Sequence, residues 1–293
     1  MTEPMRLRVR VAAPIAEVWR ALTDPAALRV WLAEHAEVAL PHRYQFWGRY
    51  TPDGDRPHQR PLHVGEHSLR FAWLLADTET TVHIGLTADG SDATILALSQ
   101  TDVPTLTELV LESTTLAWLH TFWALSITNL VDHLEGREPT ARCDFTSPVM
   151  RAQWLIDAPP QAVYDSIVDP AVFSRWFGAK VELEPRVGGQ WAMGGFDLDA
   201  SPAKIVDLTP DRSVSLAWDA GLVATWELSD SDGRTGLTFV QSGFDEGNPP
   251  YGAWMGWLGG FAELRRFHEL PDWHPMWLDV HVPGMPDGML TIE

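Results

Sequence analysis

In the second half of the chain, apolar and polar residues alternate with a period of two over several short segments. In one such segment Val214 and Leu216 alternate with Ser213 and Ser215, and turns rich in Gly, Pro and Asp separate it from its neighbours. Alternation between short turns predicts an antiparallel sheet with one buried face. The predicted strands span residues 151–157, 181–183, 190–193, 203–208, 213–218, 225–228 and 237–241.

Near the C-terminus the apolar period lengthens to that of a helix. The stripe consists of Trp254, Trp257, Phe261 and Leu264. Spacings of three and four residues place these side chains on one helical face, which predicts a helix from about Tyr251 to Glu269. A similar stripe in the first half predicts a helix ending near Glu135, where Gly136 follows. Because an apolar sheet face must be covered, each long helix is expected to cover the sheet that precedes it.

Two short helices are predicted after the first strand of each half. In the second half Pro159-Pro160 opens one of them, because proline loses no hydrogen bond in a first helical turn. Asp169-Pro170 opens the next, and Asp24-Pro25 repeats this step in the first half. Aspartate is a good N-cap, so both acids are interpreted as caps rather than as catalytic acids.

The two halves repeat the same residues in the same order. The segments Ala13-Pro14, Val18-Trp19, Asp24-Pro25-Ala26 and Trp31-Leu32 correspond, 145 positions later, to Ala158-Pro159, Val163-Tyr164, Asp169-Pro170-Ala171 and Trp176-Phe177. Further pairs are Trp73 with Trp218, Thr80 with Thr225, Trp47 with Trp191 after a one-residue slip, and Trp123 with Trp257 at an offset of 134. A repeat of this length predicts two copies of one domain.

The predicted fold class is α+β. Each domain is expected to contain an antiparallel sheet of about six or seven strands curved around a long C-terminal helix, with two short helices after the first strand. The predicted boundaries are residues 1–140 for the first domain and 149–293 for the second, with a linker at 136–148.

Charge and cysteine content narrow the functional classes. The formal net charge is −19, so the surface repels phosphate backbones and anionic lipid, which argues against nucleic acid or a membrane as a partner. Cys143 is the single cysteine and cannot form an internal disulfide, so a reducing cytoplasm is expected. It has no histidine nearby in sequence, so it is interpreted as an incidental linker residue rather than a nucleophile. The chain has no apolar run of membrane-spanning length and no signal-peptide core at its start.

A search for chemistry yields no catalytic residue, metal or cofactor motif. Gly188-Gly189 and Gly194-Gly195 lack the lysine and helix of a phosphate loop, so they are interpreted as turn glycines. His58, His63 and His67 lie in a Pro- and Arg-rich loop without helical spacing, which favours a solvated loop over a zinc site. Asp132-His133 near a helix end is interpreted as surface charge.

Fifteen tryptophans make aromatic residues the main candidates for a binding site. Large aromatic side chains suit either a packed core or the wall of a pocket for a flat apolar ligand. The candidate lining residues are Trp191, Trp218, Trp226, Phe239, Trp257, Phe261 and Leu264 in the second copy and Trp47, Trp73, Trp123 and Ile127 in the first. Glu227, Gln241 and Glu263 are possible polar contacts.

The second copy resembles the START-like, or helix-grip, superfamily, in the branch named for the activator of the Hsp90 ATPase. The residues that carry this resemblance are Ala158-Pro159, Asp169-Pro170, Trp176-Phe177, Val187-Gly188-Gly189-Gln190-Trp191, Thr235-Gly236-Leu237-Thr238, Gln241-Ser242-Gly243 and Gly256-Trp257. The first copy departs from this pattern, with Arg43-Tyr44 in place of the double glycine.

The resemblance implies a cavity between the sheet and the long helix, and it implies no shared catalytic residues. The leading hypothesis is therefore non-catalytic binding of a small apolar or aromatic molecule. A protein-interaction module, co-chaperone-like, is the first alternative, and its mark is a filled cavity beside an exposed apolar patch. An enzyme acting on a polyketide-like or aromatic substrate is the second, and it requires an open cavity with a perturbed acid or histidine.

Overall fold

The computed structural model describes residues 3–105 and 115–291. The first half contains β1 (Met5–Val11), α1 (Ile15–Thr23), α2 (Pro25–Trp31), β2 (His35–Ala39), β3 (Arg43–Trp47), β4 (Gln59–Val64), β5 (Ser68–Leu75), β6 (Thr78–Ala88), β7 (Thr94–Gln100) and α3 (Leu119–Leu134). The second half contains β8 (Arg151–Ile156), α4 (Pro160–Val168), α5 (Pro170–Phe177), β9 (Val181–Leu183), β10 (Gln190–Met193), β11 (Ala203–Thr209), β12 (Ser213–Ala217), β13 (Val223–Ser231), β14 (Arg234–Ser242), α6 (Tyr251–Glu269) and β15 (Trp277–His281). This α+β arrangement, given twice, confirms the predicted fold class.

The second copy forms one antiparallel sheet of seven strands. Its order is β8-β14-β13-β12-β11-β10-β9, so the first and last strands of the copy are neighbours. Burial alternates along β14, where Leu237, Phe239 and Gln241 face the interior. Strands β9 and β10 and helix α6 have the bounds expected from the residue pattern.

The first copy divides its strands between two sheets. A six-stranded sheet has the order β15-β1-β7-β6-β5-β4, and β2 and β3 form a separate two-stranded sheet. Between β3 and β4 the side chain of Gln59 takes the place of a backbone partner, since its amide oxygen accepts from the Phe46 N–H at 3.1 Å. At the opposite edge β15 pairs antiparallel with β1, beginning with Arg6 opposite His281.

The chain separates into two compact units. The first comprises residues 1–147, 251–259 and 276–285, and the second comprises residues 148–250, 260–275 and 286–293. The domain boundaries expected from the repeat, 1–140 and 149–293, remain predictions.

Both Asp-Pro steps are helix caps. The Asp24 carboxylate accepts from the Ala26 N–H at 2.7 Å at the start of α2. The Asp169 carboxylate accepts from the N–H groups of Ala171 and Val172, at 2.9 and 3.1 Å, at the start of α5. These bonds satisfy backbone donors that have no partner within the helix, so the interpretation as caps is confirmed.

The segment 136–148 is anchored to the first unit. The buried Asn129 side chain exchanges two hydrogen bonds with the backbone of Thr140. The Arg142 guanidinium donates to the carbonyls of Arg29 and Ala33 and lies over the Tyr50 ring, 4.0 Å from its centroid.

Cys143 within this segment and Asp132 just before it are both buried. Burial raises the pKa of the Cys143 thiol, which disfavours the nucleophilic thiolate. Asp132 is only 1% exposed and pairs with Arg137, Oδ1 to Nε, at 3.2 Å. The interpretation of Asp132 as surface charge was therefore wrong.

The strand register corrects one of the repeat pairs. Trp73 lies opposite Thr80 in the β5–β6 hairpin, whereas Trp218 lies beside Leu222, whose carbonyl accepts from the Trp218 N–H. The structural counterpart of Thr80 is therefore Leu222 rather than Thr225. The constant offset fails because the second copy turns back immediately after Trp218, while β5 and β6 continue for two more residue pairs before their turn.

Replacing Asp169 with alanine tests the cap. Asp169→Ala leaves two N–H groups of α5 without their partner and is expected to lower the free energy of unfolding by about 1 kcal/mol. Asp165→Ala is the matched control, because Asp165 is exposed on α4 and alanine is a better helix former. Urea unfolding of both variants gives the comparison; equal stabilities for the two would contradict the cap.

Candidate functional site

The interior of the second copy is an aromatic cluster between the sheet and α6. Trp226 of β13, Phe239 of β14 and Phe261 of α6 are fully buried. The Phe261 ring centroid lies 4.7 Å from that of Phe239 and 6.4 Å from that of Trp226. Trp154 of β8 closes the group at 4.8 Å from Phe261. Ring pairs at these distances pack favourably beyond their burial, so the cluster is a stable wall.

Beside this cluster lies a small apolar cavity of about 10 Å³. It is lined by Ile167, Val168, Phe173, Leu183, Trp191, Ile205, Leu208, Val214, Leu216 and Trp226. This volume is about that of one water probe, whereas pockets for small molecules measure several hundred cubic ångströms. The lining offers no polar partner, so the cavity is expected to be dry.

The other candidate lining residues are placed as follows. Trp191, Trp257, Leu264, Trp73, Trp123 and Ile127 are buried, whereas Trp218 and Trp47 are half-buried. Trp47 lies on the face of β3 opposite to Phe46 and contacts His35, with ring centroids 5.4 Å apart. A one-residue shift along a strand moves a side chain to the other face, so Phe46 takes the interior position that Trp191 holds in the second copy.

The interior of the first copy contains a complete hydrogen-bond chain that the sequence analysis missed. The Trp123 indole N–H donates to the Gln100 amide oxygen at 2.6 Å. The Gln100 amide nitrogen donates to the Thr80 hydroxyl at 2.9 Å, and this hydroxyl donates to the Trp73 carbonyl at 3.0 Å. Thr80 and Gln100 are fully buried, so the chain satisfies polar groups that water does not reach.

The second copy has a glutamine at the equivalent position. At the start of each last strand a threonine hydroxyl donates to an alanine carbonyl: Thr94 to Ala13 at 2.8 Å, and Thr235 to Ala158 at 2.7 Å. These alanines belong to the repeat with the offset of 145. The glutamine six positions beyond each threonine therefore occupies the same place in both copies.

In the second copy no described residue pairs with this amide. Gln241 is 3% exposed, and neither its Nε2 nor its Oε1 forms a hydrogen bond within the described part of the chain. The position of Thr80 is taken by Leu222, which has no hydroxyl to offer. Leaving a buried polar group unsatisfied costs about 1–3 kcal/mol, so this amide calls for a functional explanation.

Gln241 belongs to a cross-strand row that reaches the cavity. Ile205 pairs with Leu216, Leu216 with Ala224, and Ala224 with Gln241. Ile205 and Leu216 line the cavity, and fully buried Ala224 is the small residue between them and the amide. At about 4.8 Å per strand, Gln241 stands roughly 10 Å from Leu216 along this row.

The histidines, glycines and glutamates considered for metal, phosphate or ligand binding lie as follows. His58 lies 3.0 Å from an Asp55 oxygen through its Nε2, and the His67 ring meets the Trp19 ring edge-on. In the described ranges, three or more His, Cys, Asp or Glu side chains nowhere group as metal ligands. Gly188 and Gly194 have positive φ angles, as turn glycines do. Glu227 is exposed and Glu263 is buried.

None of the helices within the described residues has both the length and the apolar character needed to cross a membrane.

Comparison with known proteins identifies a family. The family model described as "Activator of Hsp90 ATPase homolog 1-like protein" matches the chain twice, over residues 12–135 and 157–268. No curated protein matches the sequence significantly.

Solved structures resemble the chain at low identity. Protein MLL2253 from Mesorhizobium loti is 23% identical, covers 43% of this chain and 99% of its own, and has a TM-score of 0.37. The Aha1 dimer from Colwellia psychrerythraea is 16% identical, with 43% and 98% covered and a TM-score of 0.37. DynU16, from the dynemicin biosynthetic locus, is 17% identical and covers 90% of this chain and 95% of its own, with a TM-score of 0.39.

The two equivalent glutamines should respond oppositely to the same substitution. Gln100→Leu leaves the Trp123 N–H unpaired and is expected to lower the free energy of unfolding by about 1–3 kcal/mol. Gln241→Leu removes a buried amide that has no partner among the described residues and is expected to raise it. Urea unfolding of both variants provides the measurement; a destabilised Gln241→Leu would show that the amide is satisfied in the free protein.

Proposed function

The chain belongs to the family of activator of Hsp90 ATPase homolog 1-like proteins, as two tandem copies, and on this premise we propose that its second copy binds a small apolar or aromatic molecule. The ligand lies between the sheet and the long helix and carries one polar group that bonds to Gln241. Binding is non-catalytic, because the residues that line the cavity are apolar and none of them ionises.

The unpaired Gln241 amide carries this proposal. The amide presents one acceptor and two donor hydrogens, and it lies in a row with two residues that line the cavity. A carbonyl, hydroxyl or amide on a ligand would satisfy it and offset the desolvation that the free protein suffers. The first copy satisfies its own glutamine internally, which favours the second copy as the binding copy.

The small cavity sets a condition on binding. A molecule of a few hundred cubic ångströms enters only if side chains around the cavity move, and this opening reduces the net affinity. Trp218 is half-buried and its ring centroid lies 6.2 Å from that of buried Trp191. Rotation of these two indoles would open the cavity from the surface, since Trp191 lines the cavity and Trp218 is half-buried.

A protein-interaction module is the second candidate, and a specific observation favours it. The second copy exposes several large apolar side chains around β10 and β11 while its interior is nearly full. These residues are Val187, Met193, Phe196, Leu198 and Val206, with exposures from 37% to 62%. Exposed apolar groups beside a filled core are typical of a docking surface. For either function we propose a cytoplasmic location, in keeping with a single, buried cysteine.

Native mass spectrometry on protein purified gently from its own cells tests the proposal. The wild type is expected to carry a discrete extra mass of small-molecule size that is lost on denaturation. Gln241→Leu should reduce the occupancy, since a hydrogen bond of about 1–3 kcal/mol corresponds to roughly a 5- to 150-fold change in affinity.

Gln153→Leu is the matched control, because Gln153 lies on the outer face of β8 and bonds to the Thr238 hydroxyl. Equal occupancy in both variants would show that Gln241 does not bond to the ligand. A bare mass for the wild type would contradict ligand binding, and a bound polypeptide would support the interaction module.

A further inference from the structure

The first unit contains a second cavity, of about 650 Å³, outside its aromatic core. The walls come from the β3–β4 loop, the β5–β6 hairpin, the 3₁₀ helix Thr115–Trp118 that precedes α3, and residues 145–146 with Tyr251. Phe46, Trp73, Phe122 and Trp123 fill the sheet–helix interior of this copy, so the cavity is a separate site. Its volume falls within the range of small-molecule pockets.

One wall consists of three aromatic rings. Trp118 and Phe145 are stacked at 19° with centroids 5.7 Å apart, and Tyr251 meets each of them edge-on at 5.2 Å. The Tyr251 hydroxyl donates to the carbonyls of Phe145 and Ser147, at 3.1 and 3.3 Å. The rings are therefore held in place before any ligand arrives.

The opposite wall carries carboxylates in a tightly built turn region. Asp53 accepts from the Ala76 N–H at 2.8 Å and from the Thr115 hydroxyl at 3.2 Å. Asp53, Ala76 and Asp77 all have left-handed backbone angles, with φ of 50°, 46° and 62°. Non-glycine residues in this region store strain, and such positions concentrate at ligand sites.

The charges of this cavity do not balance. Arg49 is neutralised by Glu34, and this bridge holds the pKa of Glu34 at about 2. The Asp55 carboxylate contacts both the His58 ring and the Arg56 guanidinium, at 3.0 and 4.0 Å. The Asp77 carboxylate is exposed and forms neither an ion pair nor a hydrogen bond with any described residue. Asp53 and Asp77 thus leave the cavity with a negative field that attracts a cation.

A buried hydroxyl supplies an independent sign of a ligand. Thr51 lines the cavity and is 2% exposed, yet its Oγ1 has no hydrogen-bond partner within the described residues. The loop that holds it is closed by the Gly48 N–H, which donates to the Gly54 carbonyl at 2.9 Å. A Cβ on Gly54 would stand 2.1 Å from the Gly48 carbonyl oxygen, so the loop requires glycine there.

The second copy does not repeat this arrangement. Its corresponding hairpin turns back directly after Trp218, so it lacks the positions that Leu74, Ala76 and Asp77 provide in the first copy. The site is therefore a property of the first copy alone.

We propose that this cavity binds an organic cation: a protonated or methylated amine attached to a flat apolar body. The apolar body lies against the rings of Trp118, Phe145 and Tyr251, and the ammonium group lies beside the carboxylates of Asp53 and Asp77. An N–H or hydroxyl of the ligand bonds to the Thr51 oxygen. The aromatic rings pack against the apolar body, and the two carboxylates attract the positive charge of the ammonium group.

Calorimetric titration with 2-phenylethylamine, and with neutral 2-phenylethanol as its counterpart, tests the site. The amine is expected to bind at least about tenfold more tightly than the alcohol, and its affinity should fall with added salt. Binding of the two compounds with equal affinity, or no binding of the amine at millimolar concentration, would overturn the proposal.

Two variants locate the binding in this cavity. Asp77→Asn should weaken the amine about three- to fivefold, as expected for an exposed charge pair. Asp232→Asn is the matched control, because Asp232 also has a left-handed φ in an exposed hairpin turn and the same charge is lost. Equal affinities for these two variants would contradict the site.

Thr51→Val distinguishes a role of the hydroxyl in ligand binding from a role in the stability of the fold. The free protein should unfold at a higher temperature, because a buried hydroxyl without a described partner is replaced by a methyl group of similar size. Amine affinity should fall about fivefold or more, because a bond to the ligand is lost. A variant that loses stability and retains affinity would show that the hydroxyl serves the fold alone.

Discussion

Burial of one apolar sheet face beneath a long helix is the constraint on which each copy depends. Phe261 on α6 meets Trp154, Trp226 and Phe239 of the sheet at ring-centroid distances of 4.8 to 6.4 Å. Aromatic side chains are large enough to fill this space almost completely, and about 10 Å³ remains open in the second copy. Side chains of this size therefore fill most of the space between the sheet and the helix.

Polar groups in this dry interior distinguish the two copies. Gln100 is paired on both sides by Trp123 and Thr80. Its counterpart Gln241 faces the same kind of interior without a described partner, and a leucine replaces the threonine that accepts from the amide nitrogen in the first copy. Since an unpaired buried amide costs stability, its place in the fold is better explained by an occasional partner than by packing alone.

Outside the core, the two copies differ in the length of one hairpin, and this difference gives the first copy a cavity that the second copy lacks. Extension of the β5–β6 hairpin beyond Trp73 brings Asp77 to the wall of a cavity that also contains Trp118 and Tyr251. The duplicated fold thus carries different surroundings at equivalent positions, and a fold shared by two copies does not imply a function shared by both.

The sequence by itself determined the element types, the tandem repeat and the fold class. Alternation along β14, the helical stripe of α6 and the caps at Asp24 and Asp169 are local signals, since each depends on neighbours within a few residues. Bounds such as Val181–Leu183 and Tyr251–Glu269 followed from these signals.

Only the tertiary structure decided strand register, facing and cavity size. A hairpin of different length placed Leu222, not Thr225, at the position equivalent to Thr80, and a one-residue slip placed Trp47 outside while Trp191 lies inside. Asp132 proved buried beneath the surrounding fold, where Arg137 pairs with it. These properties depend on contacts between residues far apart in sequence, and neither composition nor periodicity encodes the distances that fix them.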